Sequence, residues 1–186
     1  MGFNVDLVAV RGLPATELHA RLQLETTEDS ETEPESPVVG ATLASGWEIV
    51  YFNDRSPPTE AELAALSDSA EVLFLDVCEM VSACTAKCWQ NGKMTWSISH
   101  DSQRGTDHLE AEGDAPRCFP SIADRLRHCQ EARGDADHID YIFNVPADVF
   151  AQIAGFTYDG NPDGYPVDSF VIFRRQKSGR KWWQFW

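Results

Sequence analysis

The chain has 186 residues, of which 42% are hydrophobic and 11% aromatic, enough apolar surface for one globular domain over 1–186 and too much for a disordered chain. Its 30 Asp and Glu against 15 Lys and Arg give a formal net charge of -15, which argues against nucleic-acid binding because phosphates need a basic surface. It has no run of about 18 apolar residues, and its N-terminus lacks the basic segment followed by an apolar segment that marks a signal peptide. We therefore expect a cytoplasmic protein that does not bind membranes.

The N-terminal part of the chain contains an unusually acidic stretch, 25–37. It carries six acidic residues, no basic one and almost no hydrophobic side chain. This composition predicts a flexible acidic loop. Three further elements are predicted around it, namely a strand over 3–10, a strand over 46–52, and a helix over 60–67 that begins with the capping-box pair Thr59 and Glu62.

The central stretch, 71–101, is predicted to form a buried strand followed by a β-hairpin. The apolar run from Val72 to Val77 is typical of a strand buried on both faces. Asn91 and Gly92 both tolerate the positive φ of a two-residue type I′ turn. The resulting register places the large apolar side chains on the core face, namely Trp89, Met94, Trp96 and Ile98. It places Cys84 and Cys88 on the opposite face, among small residues.

The C-terminal part supplies the two main predicted helices. They run from Ser121 to about Arg133 and from Pro146 to just before Gly155. The other predicted elements are an edge strand over 108–113, a strand over 140–145, a loop over 155–168 and a hairpin over 169–186. Together the patterns predict an α+β domain: a mostly antiparallel twisted sheet of about six or seven strands, with the two main helices packed on one face.

Two constellations could carry chemistry. Cys84 and Cys88 would lie about 13 Å apart on an extended strand, too far to share one metal ion, so we predict buried thiols, no metal and no cofactor. His100, Asp101 and His108 flank one loop and could serve general acid–base catalysis in a small enzyme. Polar residues are also common at strand ends without any catalytic role. No nucleophile elbow, phosphate-binding loop or dinucleotide motif occurs.

The acidic charge makes a basic protein partner the favoured alternative to catalysis. In general character the chain resembles the small acidic bacterial proteins that neutralise toxins by masking a basic surface. The resemblance implies a protein-binding, immunity-like role. The acidic residues expected to contact such a partner are Glu28, Asp29, Glu31, Glu33, Asp159 and Asp163.

The C-terminal segment reverses the charge of the chain. From Arg174 onward it has five basic residues, no acidic one, and four aromatics in the last five positions. Its tryptophans could pack on the core, lie on a membrane surface or form a partner-binding patch. The tryptophans concerned are Trp182, Trp183 and Trp186. The sequence leaves the oligomeric state open.

Overall fold

One antiparallel sheet organises the chain. The computed structural model describes residues 2–133, 139–160 and 164–176, and within them nine strands pair in the order β2-β9-β3-β4-β1-β5-β6-β7-β8. The strands are β1 (Asn4–Arg11), β2 (Leu24–Glu31), β3 (Val38–Thr42), β4 (Glu48–Phe52), β5 (Glu71–Cys78), β6 (Ala83–Gln90), β7 (Lys93–Asp101), β8 (Glu110–Gly113) and β9 (Phe170–Arg175). The helices are α1 (Ala15–Arg21), α2 (Glu60–Leu66), α3 (Phe119–Arg133) and α4 (Asn144–Ala154).

Helices cover both faces of this sheet. On the face we call inner, α4 packs across β5, β6 and β7, and α3 packs against α4. On the outer face, Leu18 of α1 and Leu63 and Leu66 of α2 join a second cluster of buried residues. The predicted α+β class and mainly antiparallel sheet are confirmed. The predicted strand number was too low. The described residues form four helices where two main ones were predicted: α3 and α4 lie on one face, and α1 and α2 bury the outer apolar side chains of β1 and β4 on the other.

The acidic stretch is a strand over much of its length, where the sequence predicted a loop over 25–37. β2 pairs with β9 at the edge of the sheet, and Leu24 is its one buried side chain. Between Thr26 and Ser30 the register shifts, and the Thr27 hydroxyl donates to the carbonyl of Ile172 at 3.0 Å. An edge strand needs little hydrophobic content because its acidic side chains face water.

The central hairpin forms with a bulge that the sequence did not reveal. Asn91 and Gly92 have φ of 53° and 73°, and Trp89 pairs with Met94 as predicted. Beyond that pair Thr95 is an extra residue, so Cys88 pairs with Trp96. The predicted side assignment is therefore wrong: Cys84, Cys88, Trp96 and Ile98 share the inner core, while Trp89 lies in the outer one and Met94 is exposed.

Two other segments differ from the sequence prediction or fall outside the structure. Residues 139–143 form a bend and a turn instead of a strand, and the Asp140 carboxylate accepts a hydrogen bond from Phe143 N–H just before α4. β9 lies between β2 and β3 in the sheet. The second strand of the hairpin predicted over 169–186 lies outside the described residues.

Candidate functional site

Exposed apolar side chains gather at one end of the sheet. Met80 is 78% exposed, Val81 44% and Phe3 40%, although side chains of this size are usually buried. Met80 and Val81 form the short 3₁₀ turn between β5 and β6, and Phe3 directly precedes β1. Backbone pairing joins them, because Glu79 N–H donates to the Phe3 carbonyl at 2.9 Å. We call these three residues, with Glu79 and Asp159, the tip.

The tip is held by side chains as well as by the sheet. One carboxylate oxygen of Glu79 accepts from Phe3 N–H at 2.8 Å, and the other accepts from the Tyr158 hydroxyl at 2.9 Å. The Phe3 ring packs edge-on against Tyr158, with centroids 5.3 Å apart. Ser82 closes the turn with φ of 45°, a conformation that costs free energy for a residue with a side chain. These contacts present Met80 and Val81 in a defined position.

Negative charge surrounds this apolar centre. Partial burial raises the pKa of Asp159, and the neighbouring carboxylates of Glu79 and Asp148 raise it further. Asp148 is neutralised by Arg125 at 2.6 Å. Within the part of the chain that the structure describes, neither Glu79 nor Asp159 has a cationic partner. The tip therefore combines exposed apolar area with uncompensated acidic charge.

The predicted catalytic residues His100 and His108 do come together, with ring centroids 6.1 Å apart. His100 Nδ1 donates to the His108 carbonyl at 2.7 Å, and His100 Nε2 lies 2.8 Å from a carboxylate oxygen of Asp140. The His108 Nδ1 accepts from Asp101 N–H at 2.9 Å. The Asp101 carboxylate instead caps the next turn by accepting from Gln103 N–H. These hydrogen bonds organise the loop 101–108, which we call the histidine loop.

Within this cluster, the His100 ring does not present a group to a substrate. The His100 side chain has no exposed surface, and both of its ring nitrogens are occupied by the bonds just described. A general acid or base must come within hydrogen-bonding distance of the atom it protonates or deprotonates. The residue that sequence reasoning missed is Asp140, placed 40 positions beyond His100 in a segment predicted as a strand. Its signal was indirect: a histidine on the buried side of a strand needs a polar partner.

A second carboxylate cluster lies on the outer face of the sheet. Asp6 and Asp76 are direct cross-strand neighbours on β1 and β5. One guanidinium nitrogen of Arg55 reaches both, at 3.1 Å from Asp6 and 2.9 Å from Asp76. Burial raises the pKa of Asp6 to about 7; Arg55 opposes the rise, and the negative charges of Asp76 and Asp54 add to it. This arrangement binds the loop after β4 to the sheet.

The acidic residues predicted to contact a partner are distributed differently. Glu28 and Asp29 lie in the β2 bulge and are exposed, and Glu33 is also exposed. Glu31 has a structural contact, because its carboxylate accepts hydrogen bonds from the backbone N–H groups of Glu35 and Ser36. Asp159 belongs to the tip. The other predicted contact residues, Asp163, Trp182, Trp183 and Trp186, lie outside the described residues.

The thiols and acidic groups show no metal-binding arrangement in residues 2–133, 139–160 and 164–176. No three His, Cys, Asp or Glu side chains converge there in a way that could hold an ion. Burial raises the pKa of Cys84 far above its ordinary value and that of Cys88 to about 11. Both side chains are therefore neutral thiols in the inner core near neutral pH. In the same described ranges, no helix has the length and apolar character needed to cross a bilayer.

Comparison with known proteins gives no relative from which a role could be transferred. No family model, no curated protein and no solved structure matches the chain.

Proposed function

We propose that this protein is a binding module whose tip docks onto a partner protein. The observation that carries the proposal is the joint exposure of Phe3, Met80 and Val81 on a turn held in place by hydrogen bonds. Scattered single apolar residues are normal on a protein surface, but a cluster with a polar surround is typical of an interaction site. A pre-formed turn also lowers the entropic cost of binding.

The charge around the tip indicates the chemistry of the partner. Glu79 and Asp159 lack cationic neighbours in the described chain, and the whole sequence carries a net charge of -15. A partner with an apolar pocket rimmed by Arg or Lys would complement both properties. Complementary charge accelerates association and disfavours acidic competitors. Masking of a basic protein surface, the immunity-like role suggested by the sequence, is one form of this proposal.

The β2 bulge offers a separate acidic contact. Glu28 and Asp29 project from the edge of the sheet and pair with no cation in the described residues. They can attract a basic partner over a distance of about 8 Å at physiological salt. They have no apolar cluster like that of the tip beside them, so we expect them to affect the association rate more than the lifetime of the complex.

A library of displayed random peptides tests the tip even while its partner is unidentified. We expect wild-type protein to enrich peptides that combine a large apolar side chain with Arg or Lys. A variant with Met80→Ser and Val81→Ser should bind the enriched peptides at least about tenfold more weakly, since about 1.4 kcal/mol corresponds to a factor of ten. Met94→Ser is the matched control, because Met94 is also exposed but lies in the hairpin turn region.

The same peptides separate the two acidic contacts. Glu28→Gln with Asp29→Asn removes two charges at the β2 edge, and Glu112→Gln with Asp114→Asn removes two near the opposite edge. Slower association of the peptides with the Glu28→Gln/Asp29→Asn variant, but not with the Glu112→Gln/Asp114→Asn variant, would support electrostatic attraction of the partner by the bulge. Equal binding by wild-type protein and the Met80/Val81 variant, or enrichment of acidic peptides, would overturn the proposed function.

A further inference from the structure

The tip is connected to the histidine loop by two hydrogen bonds from one residue. Ser102 N–H donates to the Ser82 carbonyl at 3.1 Å, and the Ser102 hydroxyl donates to the Val81 carbonyl at 2.9 Å. Ser102 follows Asp101, whose own N–H donates to His108 Nδ1. One support of the β5–β6 turn is thus linked to a hydrogen bond that ends on a histidine ring.

The hydrogen bonds define which nitrogen of His108 carries a proton. A backbone N–H can only donate, so Nδ1 of His108 must hold its lone pair toward Asp101. The proton of the neutral ring is therefore on Nε2, which is buried and has no hydrogen-bond partner in the structure. Any further proton must be added at Nδ1, where it would face the N–H of Asp101. Two donors cannot share that contact.

The charged groups around His108 favour its movement once it is protonated. A carboxylate oxygen of Glu110 on β8 lies 3.6 Å from Nε2, beyond a good hydrogen bond. Glu110 is itself held by both terminal nitrogens of Arg104 in the turn after Asp101. On the other side lie the His100 ring and, behind it, Asp140. From α3 the neutral Gln130 contacts the loop through the Thr106 carbonyl.

We propose that proton uptake at His108 Nδ1 releases the Asp101 amide, loosens the Ser102 turn and so weakens the two hydrogen bonds through which the histidine loop supports the tip. The proton comes from solvent, and the only bond that must break is the one from Asp101 N–H to Nδ1. The imidazolium then gains attraction to Glu110 and competes with Arg104 for it. Histidine is the side chain whose ordinary charge change falls between about pH 5 and pH 8, which sets the pH range for the test. Its effect on partner binding rests on the proposed function, whereas the loosening does not.

Nuclear magnetic resonance on the isolated full chain tests the switch. Two-bond ¹H–¹⁵N spectra of the histidine rings report the tautomer of His108 as the pH falls from about 7.5 to about 5.5. Amide hydrogen exchange, corrected for its intrinsic pH dependence, reports the Asp101 and Ser102 bonds. We expect Nδ1 to gain a proton and exchange at these two amides to accelerate about tenfold, a change of about 1.4 kcal/mol.

Substitution of His108 provides the control. In His108→Asn the side-chain oxygen can still accept from Asp101 N–H but cannot be protonated, so exchange should stay slow at low pH. His108→Gln is a second neutral variant in case the first does not fold. Unchanged protection of Asp101 and Ser102 while Nδ1 is protonated would overturn the proposal. A His108 ring that stays neutral throughout, or equal acceleration in the neutral variants, would overturn it as well.

The readouts separate this inference from the proposed function. Hydrogen exchange needs no partner, so the switch can fail while peptides still bind the tip, or succeed while they do not. If the switch and the proposed function both hold, wild-type protein should bind the enriched peptides more weakly at about pH 5.5 than at about pH 7.5. His108→Asn should bind them equally at the two pH values.

Discussion

Two polar clusters lie on opposite faces of the same sheet and are built on opposite principles. On the inner face, His100 meets one carboxylate and one carbonyl, so each polar group has a complementary partner. On the outer face, Asp6 and Asp76 share the single guanidinium of Arg55, and burial raises the pKa of Asp6 to about 7. The inner cluster joins two segments through hydrogen bonds, whereas the outer one has an excess of negative charge around a single cation. Burial of polar groups alone therefore does not say what they do; the balance of donors and acceptors does.

His100→Ala should have the largest effect on stability. It removes the donor to the His108 carbonyl and leaves Asp140 without its partner, and breaking a buried pair of this kind costs about 3 kcal/mol. Urea denaturation measures the loss. His128→Ala, on the exposed side of α3, is the control and should change the midpoint little. A loss as small as that of the control would mean that the inner cluster does not lock the fold.

Arg55→Met should come next, because it keeps the apolar part of the side chain but leaves Asp6 and Asp76 without a cation. We expect a loss of about 2 kcal/mol near pH 8, where Asp6 is ionised. Near pH 5 Asp6 is protonated in the native protein, so the loss should be smaller. Denaturation at both pH values checks this difference. A loss independent of pH would indicate that Arg55 acts through packing and not through charge.

Asp6→Asn should remove most of the fall in stability that the wild type shows between about pH 4 and about pH 7. The pKa of Asp6 is raised from 3.8 to about 7, so the native protein retains a proton that the unfolded chain has released. The wild type must then lose stability as the pH rises from about 4 to about 7. The variant lacks this loss, and its stability relative to wild type should increase over the same range. Parallel stability curves for the two proteins would contradict the pKa assignment.

Asp76→Asn should have the smallest effect, because Asp76 is partly exposed. Its negative charge contributes to the raised pKa of Asp6, so the substitution should lower that pKa toward its ordinary value. Carboxyl ¹³C chemical shifts followed through a pH titration measure the change. Glu112→Gln, which neutralises a carboxylate on distant β8, should leave the titration of Asp6 unaltered.

The elements that depend on local chemistry were predictable from the sequence. The Thr59 and Glu62 capping box forms, with the Thr59 side chain accepting from Glu62 N–H. Asn91-Gly92 forms the hairpin turn, and α4 ends at Gly155 with φ of 74°. In each case the backbone conformation of one residue, or the end of one helix, favours a particular residue type at or near that position. Such signals do not depend on the rest of the fold.

Some elements that depend on distant pairing were not predictable, although the strands β1, β4 and β5 were predicted from their own apolar residues. β2 is a strand because β9, more than 140 residues further along, hydrogen-bonds to it. The bulge at Thr95 changes which side chains face the core without any glycine or proline to mark it. The candidate site shows the same limit: His100 and His108 were found because they flank one loop, but the tip combines Phe3, Met80 and Asp159 from three separate parts of the chain.

The acidic side chains on the two edge strands affect the tendency of the protein to aggregate. Both edge strands, β2 and β8, are mainly acidic or small in sequence, and β2 carries its bulge midway. Within the described residues the outer backbone groups of both strands have no strand partner, and the mutual repulsion of carboxylates disfavours edge-to-edge joining of two copies. That protection is lost when carboxylates are neutralised. Mild acid or a polycation should therefore cause strand-mediated precipitation before the core of the domain has unfolded.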